Sequence, residues 1–219
     1  MPSPFKQLVV CLVFLGLPSS LMAQRYVFFL HNRFLEEHEL SALEPTYGRA
    51  EYREIITAFQ QAGFEVISEK RPANTNIDQY AHKVSQQIDS LLRKGVQPNH
   101  ITIIGTSKGG YIAQYVSTLA ANPALNFIFI GCFRESDITN MPMINFCGNI
   151  LTIYERSDSF GVSAIQRKKT SKLPITRFEE IELNTNQKHG FLFHALPEWI
   201  KPSIQWAKGQ YAKAVPGNP

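Results

Sequence analysis

The chain has 219 residues, 44% of them hydrophobic, which is enough for one sizeable core and short for two. Its 22 Lys and Arg against 18 Asp and Glu leave a net charge of +4. The basic residues are scattered, without the runs or aromatic interleaving of a nucleic-acid surface, so nucleic acid is not expected as a partner.

At the N-terminus Lys6 precedes the apolar run 8–15, then Pro18-Ser19-Ser20 and Leu21-Met22-Ala23. This order predicts a secretory signal peptide over 1–23, cleaved after Ala23. Its apolar core falls short of the ~18 to 20 residues that span a bilayer, so no stable membrane anchor is expected after cleavage. The mature protein is then exported, periplasmic or extracellular. It retains two cysteines, Cys132 and Cys147. In an oxidising compartment a disulfide between them is possible, and so is a pair of unbridged thiols, because spacing alone gives no Cα separation.

Beyond residue 23 the apolar pattern switches repeatedly between two periods. Residues 26–30 form a continuous apolar run that ends at His31-Asn32, as in a strand buried on both faces. Tyr52, Ile55, Ile56, Phe59 and Ala62 then recur at helical spacing, with Gly63 where a C-cap belongs. A strand at 64–67 is followed by the capping segment Asn74-Thr75-Asn76 and a helix carrying Ile77, Tyr80, Val84, Ile88 and Leu91. After Gly95 comes a strand at 101–104, then a helix marked by Tyr111, Ile112, Tyr115, Val116, Leu119 and Ala120, ending near Pro123. Further strands are expected at 127–130, 150–154 and, more polar and suited to an edge, 178–183. Strands alternating with helices specify an α/β fold, a mostly parallel sheet of about six strands covered on both faces. One domain over 24–212 is expected, with a frayed tail at 213–219 and no large lid domain.

Open α/β sheets place their chemistry at the carboxyl ends of strands. There the sequence Gly105-Thr106-Ser107-Lys108-Gly109 follows a buried strand and opens an amphipathic helix, the strand-to-helix turn of a nucleophile elbow. A lone Gly-x-Ser-x-Gly carries little weight, but its position between strand and helix does. A phosphate-binding loop is the competing reading, and the Gly-x-x-x-x-Gly-Lys-[Ser/Thr] spacing it requires is absent. A serine hydroxyl needs a general base, and the base needs an orienting acid. Asp158 and His189 follow later strands in the order Ser, acid, His, with Glu155 and His194 as the reserve candidates. His31, His38, His82 and His100 lack a comparable setting.

These segments resemble the α/β-hydrolase superfamily over nearly the whole mature chain. LHNR at 30–33 looks like its oxyanion loop, GTSKGG at 105–110 its elbow, YERSD at 154–158 its acid loop and KHGF at 188–191 its histidine loop. The elbow also resembles that of small secreted bacterial members with G-x-S-K-G. Asn32 stands where the family usually has Gly, and it tolerates left-handed backbone less easily. The resemblance implies backbone N–H donors to an oxyanion from Lys108 and from Arg33 or Asn32. The Lys108 and Arg33 side chains either meet an anionic part of a substrate or pair with Glu36 or Glu37; Arg71 is ambiguous in the same way. No paired-His metal site is visible, so neither a metal nor another cofactor is expected.

The expected function is an esterase-like serine hydrolase acting on a small-molecule acyl substrate. Acyl transfer on the same triad is the alternative enzyme, and a non-catalytic binding module on a hydrolase scaffold is the alternative of another class.

Overall fold

The computed structural model describes residues 24–211. The expected signal peptide and the tail at 213–219 lie outside the described residues. Six strands form one sheet: β1 (Arg25–Leu30), β4 (Phe64–Ile67), β5 (Ile101–Thr106), β6 (Asn126–Ile130), β7 (Gly148–Glu155) and β8 (Ile175–Leu183). Their spatial order is β4-β1-β5-β6-β7-β8, and every neighbouring pair is parallel. A small antiparallel hairpin, β2 (Leu43–Glu44) with β3 (Gly48–Arg49), stands apart from it.

The burial pattern explains the ordering. β5 and β6 are buried at every residue and occupy the centre, whereas β8 is half-buried or exposed at every residue but Leu183 and takes an edge, as its polarity predicts. The helices α2 (Tyr52–Gln61) and α7 (Pro197–Ala207) cover one face, with Tyr52, Ile55, Phe59, Trp199, Ile200 and Trp206 in one apolar cluster. The helices α3 (Ile77–Arg93) and α4 (Lys108–Ala120) cover the other, with Ala81, Val84, Ile88, Ile112, Ala113 and Val116 in a second. Asn76 caps α3 by accepting the Gln79 N–H at 3.0 Å, as the capping segment predicts. Short helices α1 (Phe34–Glu37), α5 (Asp137–Asn140) and α6 (Ile165–Thr170) lie in the connections.

Two points go beyond what the sequence indicated. No element was expected beyond 183, yet α7 forms. Its buried residues Trp199, Ile200, Ser203, Trp206 and Ala207 keep helical spacing, but Pro202 interrupts the pattern, removing one backbone donor that the packing of two tryptophans offsets.

The second concerns Cys132 and Cys147, which are unbridged buried thiols. Ile130 of β6 pairs with Ile153 of β7, and Asn126 with Asn149. Cys132 therefore lies past the carboxyl end of one strand, and Cys147 before the amino end of its parallel neighbour. At ~3.3 Å per residue this separation is on the order of 20 Å, far beyond the roughly 4.4 to 6.8 Å that a disulfide spans.

Candidate active site

The chain leaves β1 for β4 on one side and returns to β5 on the other, so the topology switches between β1 and β5, where α/β sheets hold their sites. The 105–110 turn sits at this point. Ser107 has φ 49° and ψ −118°, a conformation that a residue with a Cβ adopts only when its surroundings impose it. Two close approaches impose it. A Cβ on Gly105 would lie 2.2 Å from the Gly109 carbonyl oxygen, and one on Gly109 would lie 1.9 Å from that of Leu30. Glycine at both places lets α4 start directly against the end of β1.

Ser107 Oγ is 2.9 Å from His189 Nε2, and His189 Nδ1 is 2.6 Å from Asp158 Oδ2. With the Nδ1–H donated to the carboxylate, Nε2 is left to accept the serine proton. The Asp158 side chain is fully buried and His189 is partly buried. The other Asp158 oxygen accepts the Phe160 N–H at 2.8 Å. Phe160 is half exposed, its ring 5.4 Å from the His189 ring, and the Arg134 guanidinium lies 5.0 Å from the phenyl centroid.

The reserve candidates have other partners. Glu155 Oε1 accepts from the Ser157 N–H and hydroxyl, and Oε2 accepts from those of Thr185. Burial alone would raise its pKa, but these four hydrogen bonds outweigh burial and hold it below the ordinary value. Ser157 Oγ in turn accepts the Lys188 N–H at 3.0 Å, so Glu155 ties the acid loop to the histidine loop. His194 faces Glu51 at 3.4 Å and lines an open cleft of about 570 Å³ together with Tyr47, Asn186, Lys188 and Gly190. This cleft flanks His189 without including Ser107.

On the far side of Ser107 lies the segment 31–37. Lys108 opens α4, and a helix's first N–H groups have no intrahelical acceptor. Asn32 is buried, its side chain accepting the Leu35 N–H at 3.3 Å. Arg33 precedes α1, and its guanidinium pairs with Glu37 at 2.7 Å on the exposed surface, where such pairs contribute little. Lys108 Nζ pairs with buried Glu36, whose other oxygen takes Arg71 Nε at 2.8 Å. Arg71 also donates through Nη2 to the His31 carbonyl. His31 Nδ1–H donates to the Asn32 carbonyl at 2.7 Å, while Nε2 accepts the Arg71 N–H at 2.9 Å. Burial first, and the Arg71 charge second, push the His31 pKa down to about 3, so this ring is neutral. The Glu36 knot is missing from the sequence-based reading except for the Lys108–Glu36 pairing. An acidic residue three places after the loop Arg33 was its one available signal.

Among the described residues no group of three or more His, Cys, Asp or Glu is placed to hold a metal ion, and no helix is long and apolar enough to cross a membrane. A family model described as phospholipase/carboxylesterase matches residues 63–190. No curated protein matches the sequence significantly. Among solved structures, a variant of SOBER1 from Arabidopsis thaliana is similar at 14% identity and TM-score 0.57, covering 84% of this chain and 99% of that one. A dienelactone hydrolase from Anabaena variabilis is similar at 16% identity and TM-score 0.56, over 86% of this chain and 87% of that one. An esterase/lipase from an uncultured bacterium follows at 14% identity and TM-score 0.55, over 85% and 76%. At these identities the structural likenesses show the α/β-hydrolase fold.

Proposed function

The chain belongs to the phospholipase/carboxylesterase family of hydrolases, and from that premise we propose that it is a serine esterase with Ser107 as nucleophile, His189 as base and Asp158 as orienting acid. The observation that carries this reading is the unbroken hydrogen-bonded line from Ser107 Oγ through the imidazole to the Asp158 carboxylate.

His189 Nε2 takes the hydroxyl proton as Oγ bonds to the acyl carbon, and the carbonyl π electrons move onto oxygen. The backbone N–H groups of Lys108 and of Arg33 or Asn32 receive that negative charge; one such donor is typically worth ~10² to 10³ in rate. The carbonyl re-forms as the C–O bond to the leaving group breaks, and His189 returns the proton to the departing alcohol oxygen. Water, deprotonated by the same nitrogen, then attacks the acyl-enzyme, and the carboxylic acid leaves as Ser107 regains its proton. Asp158 holds the ring in the tautomer that leaves Nε2 free and stabilises the imidazolium formed in each half-reaction.

The proposed mature enzyme begins at Gln24 and works outside the cytoplasm; intact mass of secreted material reads this directly, and a mass retaining 1–23 rejects it. For the chemistry, wild type should take up a fluorophosphonate at Ser107 and turn over p-nitrophenyl acetate. Folded Ser107→Ala should lose both, and His189→Ala should be as poor, with the double variant little worse. Near wild-type turnover by folded Ser107→Ala would sink the proposal.

A further inference from the structure

The two backbone donors assigned to the oxyanion come from segments distant in sequence, one at the end of β1 and one at the start of α4. Backbone packing at Gly109 brings these segments together. Among the described residues, Glu36 links the two, directly to Lys108 and through Arg71 to the end of β1. Its side chain is fully buried, with one oxygen on Lys108 Nζ and the other 2.8 Å from Arg71 Nε. Arg71 is buried to the same degree and donates to the His31 carbonyl, and its backbone N–H is received by the His31 ring.

We infer that Glu36 is a positioning residue, which through Lys108 and Arg71 holds the two halves of the oxyanion hole in their relative placement. The inference rests on the esterase reading above.

The charge count adds a second effect. Two cations meet one carboxylate, and His31 is neutral, so the knot carries an excess positive charge beside the place where negative charge develops. Arg71 Nη1 is buried with no hydrogen-bond partner among the described residues, and the guanidinium carbon lies 5.5 Å from the Tyr80 ring centroid. A knot built for stability alone would gain from neutrality, since uncompensated buried charge is costly. A site that must receive an oxyanion gains from the excess.

The test uses the mature-length protein and p-nitrophenyl acetate. Lys108→Met keeps the aliphatic stem and removes the charge, Lys108→Arg restores a charge that reaches Glu36, and Glu36→Gln removes the bridging charge. The expected result is a kcat ~10- to 100-fold lower for Lys108→Met and Glu36→Gln with KM within about twofold, because donor misplacement is felt in the transition state. Fluorophosphonate inactivation should slow in parallel. Lys108→Arg should recover most of the loss, and Lys108→Met combined with Glu36→Gln should be no worse than the poorer single variant. If Glu36→Gln fails to fold, the two Lys108 variants decide alone. Folded Lys108→Met with kcat within about twofold of wild type, beside an active wild type, overturns this inference and leaves the esterase reading standing. A wild type that neither labels nor turns over overturns both.

Discussion

Two buried glutamates brace the two sides of the site, and they do it with different chemistry. Glu155 joins the acid and histidine loops through two N–H groups and two hydroxyls, all neutral and all paired. Glu36 joins the segment after β1 to the elbow through two cations, and one guanidinium nitrogen has no partner among the described residues. In the proposed mechanism the Glu155 side holds a base and its acid in place through the whole cycle, and a fully satisfied neutral cradle achieves that with little sensitivity to charge. On the same proposal the Glu36 side faces the atom whose charge changes most during acyl transfer, and there an unbalanced set of charges is useful to the chemistry.

The largest effect should separate Asp158 from Glu155. Asp158→Asn leaves a side chain of the same shape but presents the imidazole in the wrong tautomer, and kcat should fall by roughly 10⁴ with the fold intact by circular dichroism. Glu155→Gln should behave in the opposite way. Its amide nitrogen cannot accept the hydrogen bonds of Ser157 or Thr185, so urea unfolding should register a loss of about 1 to 3 kcal/mol. The folded variant should keep kcat within about tenfold of wild type. Reversal of the two phenotypes would move the acid to Glu155.

A smaller effect belongs to the Glu36 side and is read in stability against pH. The His31 pKa is near 3 in the folded protein, against 6.5 for the free side chain. The unfolded chain therefore binds the extra proton first, and this contribution is fully present above 6.5 and is lost as pH falls from there toward 3. The unfolding free energy should drop over that window by at most about 1.4 kcal/mol per pH unit from this group. In His31→Gln the slope between pH 6.5 and 5 should flatten; equal slopes would show that His31 is not the titrating group. Glu155, held below the ordinary carboxylate value, contributes in a lower window, above the unfolded pKa, and its share is lost as pH falls through the folded one. The two windows overlap below about 4.5, so the His31 contribution is read above that value.

How far the sequence alone reached follows the same division. The strand order of events, the elbow and the residues after β7 and β8 were legible because each depends on local pattern: an apolar run, a turn, then a polar residue at the strand's end. The knot was mostly not legible, because residues 31, 36, 71 and 108 meet only through tertiary packing, and an isolated acidic residue in a four-residue helix reads as surface. The Lys108–Glu36 and Arg33–Glu37 pairings were among the alternatives, and Arg71 stayed ambiguous until its burial was seen. Cys132 and Cys147 were misleading for a topological reason, since neighbours in a parallel sheet need not share an end.

Those thiols give the molecule a practical property. Cys132 is fully buried against the elbow helix, and burial raises its pKa to about 12, while Cys147 is buried under the far rim of the sheet. No other cysteine occurs after residue 23. Maleimide chemistry on the folded chain from residue 24 onward therefore has no ready target, and a single cysteine placed on the open surface would carry a dye or tether at one chosen point. If Ser107 is the nucleophile proposed above, a fluorophosphonate addresses it independently, which permits two-colour labelling without removing a native residue.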